Sequence, residues 1–182
     1  PGALSTNTLT LKVWDNSQEL EYAVESYDIS IGSGMFDGLF TAIEEIYLQE
    51  PHFSLDIEET GESTLFILQD TITSLEPGDQ VGIFDQNGIT DSNGNTGEIL
   101  VGAGTWNGSQ LSVAAIASVD LSQFGGPILP GSVNGNEMIL KVWKEAEQTE
   151  YNVTYDIDSG SGTFDGLFTA ISEVYTCEIP DG

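Results

Sequence analysis

The feature that most constrains this chain is an internal repeat. Residues 1–24 align with residues 130–153 at a shift of 129, and residues 27–47 align with residues 155–175 after a slip of one residue. In the second alignment 16 of 21 pairs are identical, and both copies keep LKVW, GSG and FDGLFTAI. Self-similarity at a fixed period is typical of tandem repeats. We therefore interpret the chain as about 1.4 periods of a repeat of about 129 residues.

The repeat divides the chain into segments. We call the repeated part the tail segment, residues 1–50 in the first copy and 130–176 in the second, and the stretch 52–129 the head segment. If the folding unit is a head followed by a tail, residues 51–182 hold a complete repeat and residues 1–50 a partial one, which is the division we predict. A unit that runs from tail to head is the alternative. Either order leaves one tail segment without a head.

Short runs of β-branched and aromatic residues between Gly, Pro and Asn turn signals predict a chain that is nearly all β. Their number and spacing favour an immunoglobulin-like β-sandwich as the repeat unit. Residues 106–110 contain Asn107-Gly108, which predicts a tight hairpin. A short helix over 39–47 and its copy 167–175 is the one helical alternative. The predicted strands are 8–14, 20–27, 40–47, 53–58, 64–68, 80–84, 99–106, 110–119, 138–143, 150–157 and 168–175.

The charge balance excludes several classes of partner. Three lysines, Lys12, Lys141 and Lys144, stand against 30 acidic residues, for a formal net charge of -27. Nucleic acids and anionic membrane surfaces both require clusters of basic residues. No apolar run reaches the ~20 residues of a membrane helix, so we expect no membrane insertion. An apolar fraction of 39% indicates a folded domain with its acidic groups on the surface.

Cys177 is a single cysteine, so no internal disulfide can form. Gly, Ser, Thr and Asn are abundant, which favours an extracellular or cell-surface protein. At this charge density the fold repels itself unless salt or divalent cations screen the carboxylates.

The sequence gives no support for catalysis. His52 is the one histidine, and beside Pro51 we interpret it as a solvent-exposed linker residue, away from any nucleophile motif. The two GSG strings lack the further glycine and helix of a phosphate-binding loop. We expect this protein not to be an enzyme.

One segment, residues 85–98, resembles a metal-binding loop. Asp91, Asn93 and Asn95 alternate like the first ligands of a calcium loop, because alternating oxygens on a tight turn converge on a hard cation. Thr96 stands where an EF-hand loop requires glycine, and a polar turn without a metal is the alternative. The sequence predicts calcium as a possible cofactor, with the ligand set Asp85, Asn87, Asp91, Asn93, Asn95 and Glu98.

Other residues have two interpretations each. Asp37 and Asp165 either cap a turn or join a cation site, and the turn is favoured. Lys12 and Lys141 either form ion pairs on a strand or crosslink to Asn or Asp through an isopeptide bond. Trp14, Trp106 and Trp143 either lie in a core or form a platform for sugars.

A resemblance to a known class rests on EPGDQVGIFD at 76–85, LVGAGTW at 100–106, Leu129-Pro130-Gly131 and LKVW at 140–143. These strings are similar to the tandem β repeats of large secreted surface proteins of marine bacteria. The resemblance implies extracellular display, adhesion or scaffolding, and it brings no catalytic residues with it.

Together these observations predict a structural repeat of an extracellular filament, stalk or surface fibre. Its partners would be copies of itself or neighbouring repeats of the same protein, joined head to tail by β contacts. The alternative is an adhesin or carbohydrate-binding module with a cell-surface or carbohydrate ligand.

Overall fold

The computed structural model describes residues 7, 9–15, 20–36, 40–48 and 50–176. These residues contain strands and one short 3-10 turn, Ser122–Phe124, but no α-helix. The chain forms two compact units, residues 1–51 (the N-terminal unit) and residues 52–182 (the C-terminal unit). The strands are β1 Lys12–Asp15, β2 Leu20–Ile31, β3 Ala42–Leu48, β4 Ser63–Leu68, β5 Gln80–Ile89, β6 Thr96–Thr105, β7 Leu111–Ile116, β8 Val119–Asp120, β9 Ile128–Leu129, β10 Met138–Lys144, β11 Thr149–Ser159 and β12 Phe168–Thr176.

The C-terminal unit is built around a seven-stranded sheet of order β6-β5-β10-β11-β12-β4-β7, and β8 and β9 form a separate pair. All neighbours are antiparallel except β12 and β4, which are parallel. The end strands β6 and β7 approach closely, because a Cβ atom at Gly102 would lie 2.9 Å from the Val113 side chain. The sheet is therefore nearly closed. The predicted all-β class is confirmed, whereas an immunoglobulin-like sandwich is not.

The N-terminal unit is a three-stranded antiparallel sheet of order β1-β2-β3. It has the same strand pairing as β10-β11-β12, because equivalent positions of the repeat lie opposite each other in both sheets. Lys12 lies opposite Ala23 in the first copy, as Lys141 lies opposite Asn152 in the second. Two irregularities of register, after Asp28 and Ile29, recur at the matching places of β11. The two tail segments thus form the same substructure.

The one-residue slip between the copies also has a structural explanation. In β2, Val24 lies opposite Leu48 and Ser26 opposite Tyr47, so that Glu25 is an extra residue in the ladder. In β11 the matching pairs are consecutive, with no shift of register between them. A β-bulge accommodates one additional residue without changing the pairing on either side of it. The insertion in the first copy is therefore absorbed at Glu25.

The core of the C-terminal unit joins head and tail residues. Trp106, Phe66 and Phe164 are its largest fully buried side chains, and the Phe66 and Phe164 rings meet edge to face at 5.7 Å. Head strands contribute Leu68, Val81, Ile83, Val101, Val113 and Ala115, and tail strands contribute Met138, Leu140, Val142, Ile171 and Val174. Head and tail therefore fold as one body.

The predicted strands at 40–47 and 168–175 are confirmed, whereas two other sequence predictions of local structure were wrong. Residues 42–48 and 168–176 are strands, so the helical alternative is excluded there. Residues 106–110 do form a turn, but β6 pairs with β5 and β7 pairs with β4, so the turn does not close a hairpin. Residues 53–58 form no strand; Phe53 is buried against Phe84, with 5.7 Å between the ring centres, and its N–H is donated to the Gln80 side chain at 3.3 Å.

Candidate assembly surface

The two copies of the tail segment differ in what lies beside them. In the C-terminal unit, β10 pairs with β5 over residues 138–143, and β12 pairs with β4 over residues 168–171. Within the described residues of the N-terminal unit, the matching outer edges of β1 and β3 have no paired strand. This unit therefore presents two sheet edges whose counterparts are both paired in the second copy.

The face of the sheet differs in the same way. Phe164 is 1% exposed and its counterpart Phe36 is 48% exposed; Val174 is 1% exposed and its counterpart Ile46 is 42% exposed. In the C-terminal unit this face carries Met138, Leu140, Val142 and Ile171 under the head strands. We call the matching surface of the N-terminal unit the open face; it consists of the exposed Phe36 and Ile46 and the half-buried Leu9, Leu11, Val13 and Ile43.

A buried ion pair ties the tail to the head in the C-terminal unit. Lys144 Nζ donates hydrogen bonds to Asp79 Oδ2 at 2.7 Å and to the carbonyl oxygen of Ser74. Asp79 is 2% exposed and also accepts the backbone N–H groups of Glu76 and Glu145, at 2.8 and 3.1 Å. A buried carboxylate needs such partners, since it has lost its hydration.

A second ion pair lies at the edge where β10 meets β5. Lys141 Nζ donates to Glu98 Oε1 at 2.7 Å, and it lies 4.3 Å from the centre of the Phe84 ring. Glu150 is 3.8 Å away. The structure thus pairs the Lys141 ammonium group with glutamates, and the isopeptide crosslink to Asn or Asp stays a prediction.

Glu173 on β12 holds the loop that follows β4. Its carboxylate accepts hydrogen bonds from Thr73 Oγ1 and Ser74 Oγ, both at 3.1 Å, and from the Val174 N–H at 3.1 Å. Partial burial raises the pKa of Glu173, but these hydrogen bonds outweigh it, so the pKa lies below its ordinary value. The carboxylate is therefore held in its charged form.

His52 is exposed, as the sequence predicts, but its ring also has partners in the C-terminal unit. Its ring stacks on Trp143 at 4.0 Å with an interplanar angle of 9°, and its Nε2 atom lies 2.8 Å from Glu150 Oε2. Trp14, the counterpart of Trp143, is 59% exposed. His52 thus covers in the second copy an aromatic surface that is exposed in the first.

The predicted calcium ligands lie in different surroundings along the β5–β6 hairpin. Asp85 is buried, and its two oxygens accept the N–H groups of Asn87 and Val133, at 2.9 and 2.8 Å, and the Asn136 side-chain amide. Glu98 is paired with Lys141. These two carboxylates therefore already have strong hydrogen-bond donors.

Asp91, Asn93 and Asn95 lie at the tip of the hairpin. Asp91 accepts the Asn95 side-chain amide at 2.7 Å and the Asn93 N–H at 2.9 Å. These bonds, that of the Asn95 side chain above all, hold the pKa of Asp91 below its usual range. Among the described residues, no group of three or more His, Cys, Asp or Glu side chains could hold a metal ion. Calcium at this loop stays a prediction.

Of the remaining predicted site residues, those that the structure describes lie in a turn or in the core. Asp165 accepts the Leu167 N–H at 3.0 Å and the Ser161 hydroxyl at 2.9 Å, and so caps its turn. Trp106 lies in the core. Asp37 and Cys177 lie outside the described residues.

Sequence reasoning missed the buried pair of Asp79 and Lys144. A signal for it was present, since the repeat aligns Lys144 with Asp15, a reversal of charge inside an otherwise similar segment. The carboxylate partner of Lys144 could not be identified in this way, because Asp79 lies in the unrepeated head.

Searches against protein-family models, curated proteins and solved structures each found no match. No helix in the described part of the chain is long and apolar enough to cross a membrane.

Proposed function

We propose that this chain is a structural segment of an extracellular filament, stalk or surface fibre, in which repeats are joined head to tail by β contacts. The observation that carries the proposal is the contrast between two copies of one substructure. One copy is completed by a head segment, and the other exposes Phe36 and Ile46 of the same face and, in its described part, leaves the same strand edges unpaired.

Exposure of the open face is energetically unfavourable. Complete burial of one large apolar side chain is worth about 1.5–3 kcal/mol, and the open face carries several. A three-stranded sheet of about 45 residues is too small to stabilise itself by its own core. A surface of this kind supports a role in which a further repeat covers it.

Composition supports the location that we propose. A formal charge of -27 favours surroundings rich in salt or divalent cations, which are found outside cells. We also propose that the repeat unit is of the immunoglobulin-like class and that it binds calcium at residues 85–98.

The test uses polypeptides with one, two and three consecutive copies of residues 52–180, which is one period of the repeat, imaged by negative-stain electron microscopy. The expected image is an unbranched rod that lengthens by a constant increment with each added copy. The matched control carries a flexible Gly/Ser linker between the copies and should give beads with variable spacing. Variable spacing without the linker as well would contradict the proposal.

The exposed Trp14 favours a second candidate, a carbohydrate-binding or adhesin module, since sugars stack on exposed aromatic rings. Calorimetric titration of the full chain with a panel of oligosaccharides tests it. Binding that is lost in Trp14→Ala and retained in Trp106→Phe supports this function; no binding across the panel excludes it for the sugars tested.

A further inference from the structure

The two tail segments differ at one position that contacts the head segment, the last residue of β10 and of β1. Lys144 ends β10, and the matching residue at the end of β1 is Asp15. In the C-terminal unit this position faces Asp79, which is buried and pairs with the Lys144 ammonium group. A tail with aspartate there would bring a second carboxylate to a buried one.

Such a contact is strongly unfavourable. A buried ion pair that loses one partner leaves an uncompensated charge, and like charges in a desolvated site repel. The head segment of this chain is thus built to reject the tail segment that begins at the N-terminus. It selects residues 130–176 instead.

The number of segments leads to the same conclusion. The chain contains two tail segments and one head segment, and the head is filled by residues 130–176. A second copy of the chain offers a head that is filled in the same way. Neither this stretch of chain nor a second copy of it therefore supplies a free head segment to the open face.

We propose that the open face binds a head segment of a neighbouring repeat that carries no carboxylate at the position of Asp79. This inference rests on the proposed function and specifies its partner. The partner keeps an acidic residue at the position of Glu98, because the tail segment keeps Lys12 where Lys141 pairs with Glu98. Its strands add to β1 in antiparallel and to β3 in parallel orientation, as β5 and β4 add to β10 and β12.

Reversal of the charges within the full chain tests the selectivity. The variants are Lys144→Asp, Asp15→Lys and the double variant Asp15→Lys/Lys144→Asp. Hydrogen–deuterium exchange reports which tail is protected, and light scattering reports the mass. We expect Lys144→Asp to lose protection over 138–176 and over the head, and Asp15→Lys alone to resemble the unsubstituted chain.

The double variant is decisive. We expect it to regain protection of the head, with residues 9–48 protected in place of 138–176, either within one chain or between chains. Exchange as fast as in Lys144→Asp alone would overturn the inference. So would a Lys144→Asp variant that exchanges like the unsubstituted chain, since the buried pair would then select nothing.

A second measurement keeps both tail segments unsubstituted. The full chain with Asp79→Asn is compared with the unsubstituted full chain, and Glu98→Gln is the matched control that leaves the buried pair intact. We expect exchange over residues 9–48 to slow by about twofold in Asp79→Asn and to stay unchanged in Glu98→Gln, since two tails then compete for one head. Unchanged exchange over 9–48 in Asp79→Asn would refute the charge selection and leave the proposed function standing. Residues 9–48 that exchange as slowly as 138–176 in the unsubstituted chain would count against both.

Discussion

Phe36 and Phe164 occupy the same position in the two copies of the repeat, but their surroundings differ. Phe164 contacts Phe66 in the core, and Phe36 is half exposed. We expect Phe164→Ala to lower the free energy of unfolding of the C-terminal unit by about 3–5 kcal/mol, because it leaves a cavity. Phe36→Ala should change stability by less than about 0.5 kcal/mol, as for other exposed sites.

Urea denaturation of the full chain, followed by tryptophan fluorescence, measures both changes. The comparison also reports on the open face, since the two substitutions remove the same atoms. Similar losses in the two variants would contradict the prediction and would show that Phe36 is buried in solution.

Glu173 gives a prediction about pH. Its pKa is lowered in the folded state, so its contribution to stability is present above the unfolded-state pKa and is lost as pH falls through the folded-state pKa. We expect Glu173→Gln to make the melting temperature less sensitive to acid in that range. Glu45→Gln is the matched control, because Glu45 is the counterpart in the first copy and accepts a hydrogen bond from Tyr47. An unchanged acid profile in Glu173→Gln would contradict the assignment.

For single residues, the sequence indicated which side chains bind other groups, but not which groups they bind. The place of Asp85 before a polar loop predicts a cation ligand. Its partners include Val133 and Asn136, which are distant in sequence and come close because Asp85 pairs with Met138 and Ile89 with Gly131. A carboxylate with oxygens open to a metal and one saturated by backbone N–H groups look alike in a sequence.

At the scale of elements, the repeated strands were the most predictable part of the fold. Both copies carry β-branched and aromatic residues at the same places, and the structure gives them the same pairing. The Asn107-Gly108 turn was also recognisable in the sequence, but the pairing of the two strands that flank it was not. Asn107 accepts the Ser109 N–H at 3.0 Å and shapes the turn locally, whereas the choice of β4 as the neighbour of β7 depends on the whole sheet.

The tip of the β5–β6 hairpin, at residues 90–95, carries the calcium prediction. If Asp91, Asn93 and Asn95 bind calcium, the ion stabilises the folded state by about 2.7 kcal/mol at a hundredfold excess over its dissociation constant. Millimolar calcium should then raise the melting temperature, and a chelator should reverse the rise. Asp91→Asn is the variant that should not respond. A melting temperature that ignores calcium at low ionic strength would contradict the site.

At the scale of the whole molecule, charge dominates the response to solvent. Three basic residues stand against 30 acidic ones, so repulsion among carboxylates opposes the compact state. We expect sodium chloride to raise the melting temperature as it shortens the range of that repulsion. Differential scanning calorimetry from low to seawater-like salt measures the trend, and lower stability in salt would contradict it.

The last prediction concerns self-association of the full chain. The N-terminal unit carries unpaired edges on β1 and β3 in its described part, together with the open face. Unpaired sheet edges pair with other chains, and exposed apolar surface strengthens such contacts. We therefore expect the full chain to form larger species as its concentration rises.

Residues 52–182 are the matched control, because they form a compact unit with its own core and a nearly closed sheet. They should stay monomeric over the same range of concentration in light scattering coupled to size-exclusion chromatography. Charged substitutions on the open face, Phe36→Asp with Ile46→Lys, should restore the monomer, since they interrupt the apolar surface and leave the C-terminal unit unchanged. A full chain that stays a compact monomer at high concentration would contradict this prediction and would exclude strand exchange between chains.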